Sequence, residues 1–146
     1  YTDRPDDPMS AQRRIGEAAA VRDCVLERVT DPARSRFLIL GDCNDTKDSK
    51  ALQRLMRRGK IEVAGLLAAT DRRGESWTHA YRKEDSYSRV DHILVSPALR
   101  TAVQSGAAYI YDGPGVKEAS DHRPVAVMLE LTVPPPSAAT PRGEWP

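Results

Sequence analysis

The sequence predicts an α/β domain of the α+β kind, and three observations carry that reading. Helix-like and strand-like apolar patterns alternate through the first half of the chain. Short strand-like runs between turn signals dominate the second half. The length, 146 residues, suits one domain able to bury a core.

The first element runs from Ser10, a candidate N-cap, to Val29, with Ile15, Ala18, Ala19, Val25, Leu26 and Val29 on one helical face. Arg22 falls in the same stripe, which asks for a snorkelling side chain or an acidic partner. RFLIL at 36–40 has strand length. A second helix starts near Asp48 or Ser49, turns Ala51, Leu52, Leu55 and Met56 inward and stops at Gly59. Residues 61–69 fit strand and helix equally. SWTHAY (76–81) and YSRVDHILVS (87–96) flank the polar RKED and read as a hairpin with a longer loop. GAAYIY (106–111) and RPVAVMLELTV (123–133) are further strands. In the last, Val125, Val127, Leu129 and Leu131 share one face and Ala126 and Met128 the other, as in an inner strand covered on both sides. The Pro-rich stretch that follows reads as an extended tail, and no internal repeat is visible.

Composition limits function only loosely. Lys plus Arg (22) nearly cancel Asp plus Glu (21), so no overall field argues for a nucleic acid or a membrane surface. Cys24 and Cys43 form neither a disulfide framework nor a zinc-spaced cluster, and both their pairing and the compartment stay open. No stretch approaches the roughly 18 apolar residues of a membrane span, and the first residues are charged, so the chain reads as soluble. A start at Tyr1 without methionine is expected of a processed or truncated product.

The polar residues gather near strand ends. Asp42 and Asn44 follow one buried strand, Asp91 lies early in another, and Asp121-His122 precede a third. Each alone is an ordinary turn or surface residue. Together their chemistry is complementary. A hard carboxylate such as Asp121 suits magnesium or manganese, which prefer oxygen ligands. Asp42 suits a second metal contact or the acceptance of a proton from an attacking water. Asp91 would accept from one ring nitrogen of His122, fixing its tautomer and favouring imidazolium, so that the other nitrogen faces phosphate. Asn44 adds an uncharged donor for the same oxygens. These roles describe water attack on a phosphoryl group.

In order, ILGDCND, SWTHAY, YSRVDHILVS and ASDHRPVAVMLEL resemble the carboxyl-terminal half of the endonuclease/exonuclease/phosphatase family. By that resemblance Asp42 and Asn44 match its Gly-Asp-x-Asn motif, Asp91 its strand acid beside the histidine, and Asp121 and His122 its Ser-Asp-His motif. Cys43 replaces an aromatic residue common at its position. The likeness implies half of a four-layer α/β sandwich: a mixed β-sheet with helices on one face and the other face available for a partner sheet. It divides the chain into a leader (1–9), the half-domain (10–132) and the Pro-rich tail (133–146). It also implies a Mg2+- or Mn2+-dependent phosphohydrolase, phosphodiesterase or nuclease-like, acting on a nucleic acid, lipid or sugar phosphate.

The family's amino-terminal half supplies an early Asn, a metal-binding Glu and a further His, and nothing before Ser10 matches them. Glu17 lies opposite the apolar stripe of its helix and is a poor substitute. The expectation is therefore a fragment, inactive alone, whose open sheet face pairs with a second copy or with an upstream half-domain. Trp77, Tyr81 and Tyr87 are candidates for stacking on a base or sugar, and Arg89 for a phosphate contact. Ordinary hairpin packing accounts for the same aromatics, and Arg123 is similarly open. Two function classes result: a portion of a metal-dependent phosphohydrolase, or a noncatalytic half-domain kept for association.

Overall fold

The structure is a computed structural model and describes residues 8–131. Most of the leader and all of the Pro-rich tail lie outside that range.

Helix α1 spans Pro8–Arg28. Ser10 is not its cap. It sits inside the first turns, 4% exposed, where its hydroxyl accepts from Arg14 Nη1 at 2.7 Å across one helical turn. Arg22 does not snorkel: it is 7% exposed and takes the acidic partner instead. Its guanidinium clamps the Asp23 carboxylate, and its Nη1 donates to the carbonyls of Arg54 and Arg57 at 3.0 and 3.2 Å. Those carbonyls end helix α2 (Lys50–Met56), so a buried cation caps a neighbouring helix at its negative end.

Strand β1 (Leu38–Asp42) begins later than the apolar run, because Phe37 is tied to Ser96 instead. Ser49 caps α2, its hydroxyl accepting from Leu52 N–H at 3.1 Å. The helix stops at Met56, before Gly59. That glycine, at φ +59°, turns the chain between β2 (Arg57–Arg58) and β3 (Ile61–Glu62). The ambiguous stretch then yields β4 (Gly65–Leu66). The expected hairpin is β5 (His79–Tyr81) against β6 (Ser86–Ser88), and the longer run breaks at Arg89-Val90 before β7 (Asp91–Val95). A 3-10 helix (Pro97–Ala102) leads into β8 (Val103–Ile110). After a loop holding the short α3 (Val116–Ala119), β9 (Val125–Leu129) returns antiparallel to β8.

The fold is α+β, but the strands form several small antiparallel ladders in place of one mixed sheet. The largest has the order β1-β7-β4, and the one parallel contact among the described residues is an isolated bridge between Thr70 and Tyr109. Strand alternation splits its apolar residues between two cores. Ile39 and Leu94 face the helices with Leu52, Leu55 and Ala18. Leu38 and Val95 face the other way, covered by Leu99 and Ala102 of the 3-10 helix and by Val103 and Leu129.

That second core corrects the expectation of a wholly open face. The chain covers the far end of it with its own elements, leaving Leu40 (66% exposed) near the other end, and the fold lends no support to a dimer or a paired half-domain. Nor is β9 an inner strand. It pairs only with β8 among the described residues, and Met128 is 68% exposed.

Candidate active site

The Gly41-Asp42 end of β1 delivers a carboxylate because the chain turns sharply there. Gly41 has φ +153° and Asn44 φ +48°, backbone values suited to Gly and Asn. Asp42 closes the turn. Its Oδ1 accepts the Asn44 N–H at 2.8 Å and its Oδ2 the Asn44 Nδ2 at 3.0 Å. The following loop is fastened on three sides: Cys43 N–H donates to Val90 O, His92 Nε2–H to Asp45 O, and Arg14 Nε to Asp45 Oδ2. Burial lowers the pKa of His92, which favours the neutral ring that such an anchor needs.

Asp42 stands opposite Asp91 in the β1–β7 ladder. From the loop before β9, His122 Nδ1–H donates to Asp91 Oδ2 at 2.9 Å. One ligand atom each of Asp42, Asp91 and His122 lie within 4.8 Å of one another. The three residues line a cleft of about 340 Å3, walled also by Leu40, Ile93, Pro124 and Val125. Burial works against a charged His122, but the hydrogen bond and charge of Asp91, with the charges of Asp42 and Asp121, raise its pKa. Because Asp91 takes Nδ1, Nε2 is left for other chemistry. Cys43 is no nucleophile: burial, then the charges of Asp42, Asp91 and Asp45, push its thiol up to about 11. Both cysteines are free, so they do not pair.

The fold thus brings together Asp42, Asn44, Asp91 and His122. It leaves Asp121 outside the cluster, its side chain 64% exposed and its Oδ2 3.7 Å from His79 Nε2. The residues expected to touch substrate are engaged elsewhere. Arg89 gives its guanidinium to the carbonyls of Asp91, Ala69 and Leu67, which satisfies the donors of a half-buried cation. Trp77 donates to Glu75, lies 5.0 Å from the Tyr87 ring and carries the guanidinium of Arg123 at 3.5 Å from its ring centroid. Hairpin packing is the arrangement found for both aromatics.

Three residues near the site were not singled out from sequence. The His79 ring lies 4.6 Å from that of His122, centroid to centroid. Thr78, fully buried, accepts the backbone N–H of both Val90 and Asp91 on its hydroxyl. Asp71, also buried, pairs with Arg123. The polar pair Thr78-His79 inside the hairpin run SWTHAY was the available signal for the first two; Asp71 lies just beyond the ambiguous stretch 61–69 and carried no signal.

The donor set suits a hard divalent cation. Asp42 and Asp91 are oxygen donors around one point, Asp42 is exposed, and few protein ligands leave room for the waters that magnesium retains. No curated protein and no solved structure gave a significant match. A family model described as the Endonuclease/Exonuclease/phosphatase family matches residues 5–122, a span that takes in every strand carrying the cluster and ends on His122 itself. The chain therefore belongs to the Endonuclease/Exonuclease/phosphatase family, whose members are generally divalent-metal-dependent phosphoester hydrolases.

Proposed function

We propose that this chain carries part of the active site of a Mg2+- or Mn2+-dependent phosphodiesterase or nuclease-like hydrolase. The supporting observation is the meeting of Asp42, Asp91 and His122 at one cleft from three distant stretches of sequence. Asp91 holds the Nδ1 proton of His122, so that the imidazolium presents Nε2–H to a phosphoryl oxygen. Asp42 orients a water or accepts its proton, and Asn44 holds the Asp42 carboxylate in place. Asp42 is the proposed cation ligand, with Asp91 beside it in the same cluster; Asp121, the other ligand expected from sequence, stands outside that cluster and acts on His122 by its charge. A bound divalent cation would supply positive charge for the phosphoryl oxygens. So small a ligand set implies weak cation binding and little turnover by these residues alone.

The test is hydrolysis of bis-p-nitrophenyl phosphate, with and without Mg2+ or Mn2+, by the longest protein that carries this chain. Cation-dependent turnover is expected, reduced about 100-fold or more by His122→Ala. Full rate in that variant would sink the mechanism. No turnover by the longer protein would favour the noncatalytic half-domain.

A further inference from the structure

We propose that the buried Asp71–Arg123 ion pair, seated on Trp77, is the positioning element that sets His122 against Asp91, an inference that rests on reading that dyad as catalytic. The two dyad residues need such an element. Asp91 belongs to β7 and His122 to the loop before β9, and these strands are not paired with each other. What both touch is the segment 77–79. Thr78 Oγ1 accepts the N–H groups of Val90 and Asp91, each at 3.1 Å, which places the Asp91 backbone. Thr78 O accepts the Arg123 N–H at 2.7 Å, and His79 forms a bridge with His122.

Arg123 holds the same segment a second time, with its side chain. Its Nε and Nη2 donate to Trp77 O, and its guanidinium lies over the Trp77 ring. Its Nη1 donates to Asp71 Oδ2 at 2.8 Å. Asp71 is anchored in turn, its Oδ1 accepting the N–H groups of Arg73 and Glu75 at 2.8 and 2.9 Å. Arg123 is 5% exposed and Asp71 6%, so each buried charge leans on the other, with longer contacts from Arg73 Nη2 to Asp71 Oδ2 at 3.4 Å and from Arg123 Nη1 to Glu75 Oε2 at 4.0 Å. Main chain and side chain of residue 123 grip adjacent residues of the segment leading into β5, which removes the rotation that would swing its neighbour His122 off Asp91.

The experiment is 1H–15N NMR of the histidine side chains in this chain, a readout that needs no activity. In the wild type, His122 is expected to carry a slowly exchanging proton on Nδ1. Arg123→Lys keeps the charge but loses the planar fork. It should leave the far-UV circular dichroism unchanged while the His122 Nδ1–H signal broadens and the tautomer preference is lost. In a turnover assay on the longest protein that carries this chain, the same variant should lose about 100-fold in kcat with KM little changed, the cost of a small misplacement. Leu99→Ala, in the core away from the cleft, should lower Tm without moving the signal. Should Arg123→Lys not fold, Trp77→Leu removes the platform without stranding a charge and is read in the same way. A folded variant with the wild-type His122 signal overturns the proposal, as does loss of the signal in Leu99→Ala. Absence of the Nδ1–H signal in the wild type overturns the dyad itself.

Discussion

His122 Nδ1 lies 2.9 Å from Asp91 Oδ2, although Asp91 belongs to β7 and His122 to the loop before β9, two strands that share no ladder. Within that contact a carboxylate takes one imidazole nitrogen and turns the other toward a cleft that also holds Asp42. The pairing has consequences for pH, for the turn at Asn44, for Thr78 beneath Asp91 and for the nearby thiol of Cys43.

His122 is raised above the ordinary histidine value of 6.5. A group whose pKa is higher folded than unfolded stabilises the fold fully below its unfolded value and stops doing so as pH rises through the folded value. The stability difference between wild type and His122→Gln, from urea midpoints, should therefore be larger near about pH 5 than near about pH 9. Asp91→Asn should erase most of this dependence. A difference that is flat in pH would contradict the ionised pair.

Asn44 combines a left-handed backbone with two hydrogen bonds to Asp42. Asn44→Ala is expected to cost about 1–2 kcal/mol from the backbone alone. Asn44→Gly should recover that stability without recovering turnover, since the amide that steadies Asp42 is still missing. Denaturation and rate measured on both variants separate the two roles, and equal stabilities would refute the strain.

Thr78→Val keeps the shape of a fully buried side chain but leaves the N–H groups of Val90 and Asp91 without their acceptor. The expected loss is about 1–3 kcal/mol. Thr78→Ser retains the hydroxyl and should lose less. A Val variant as stable as the Ser variant would show that water or a shifted backbone replaces the bond.

Cys43, pushed up to about 11, stays a neutral thiol at mildly alkaline pH. Iodoacetamide should therefore label the exposed Cys24 well before Cys43, as read by peptide mass spectrometry. Equal labelling would mean that the Gly41–Asn44 turn opens readily.

Much of this architecture was legible locally. The inward faces of α1 and α2, the Ser49 region as a helix start and the hairpin around RKED follow from side-chain periodicity and turn chemistry within a few residues. So did the placement of Asp42, Asn44, Asp91 and His122 at strand ends, because apolar runs that stop on polar residues mark where a strand leaves the core. Helix and strand ends were less legible. The first helix starts at Pro8, and the Ser10 hydroxyl serves Arg14 inside it, while β1 begins after Phe37 because Ser96, far along the chain, binds its backbone.

The amino-acid sequence by itself determined the two long helical segments, the main strand runs, the α+β class and the residue types available for phosphoryl chemistry, while leaving 61–69 open. These depend on short-range preferences that each segment carries alone. Only the tertiary structure decided which charges meet: that Arg123 goes to Asp71 and Trp77, that Arg89 donates to carbonyls, that Asp121 faces His79, and that β9 leaves Met128 exposed. A guanidinium or carboxylate has many possible partners of equal chemistry. The choice among them falls to burial and to backbone geometry created by segments fifty or so residues away, which no local pattern encodes.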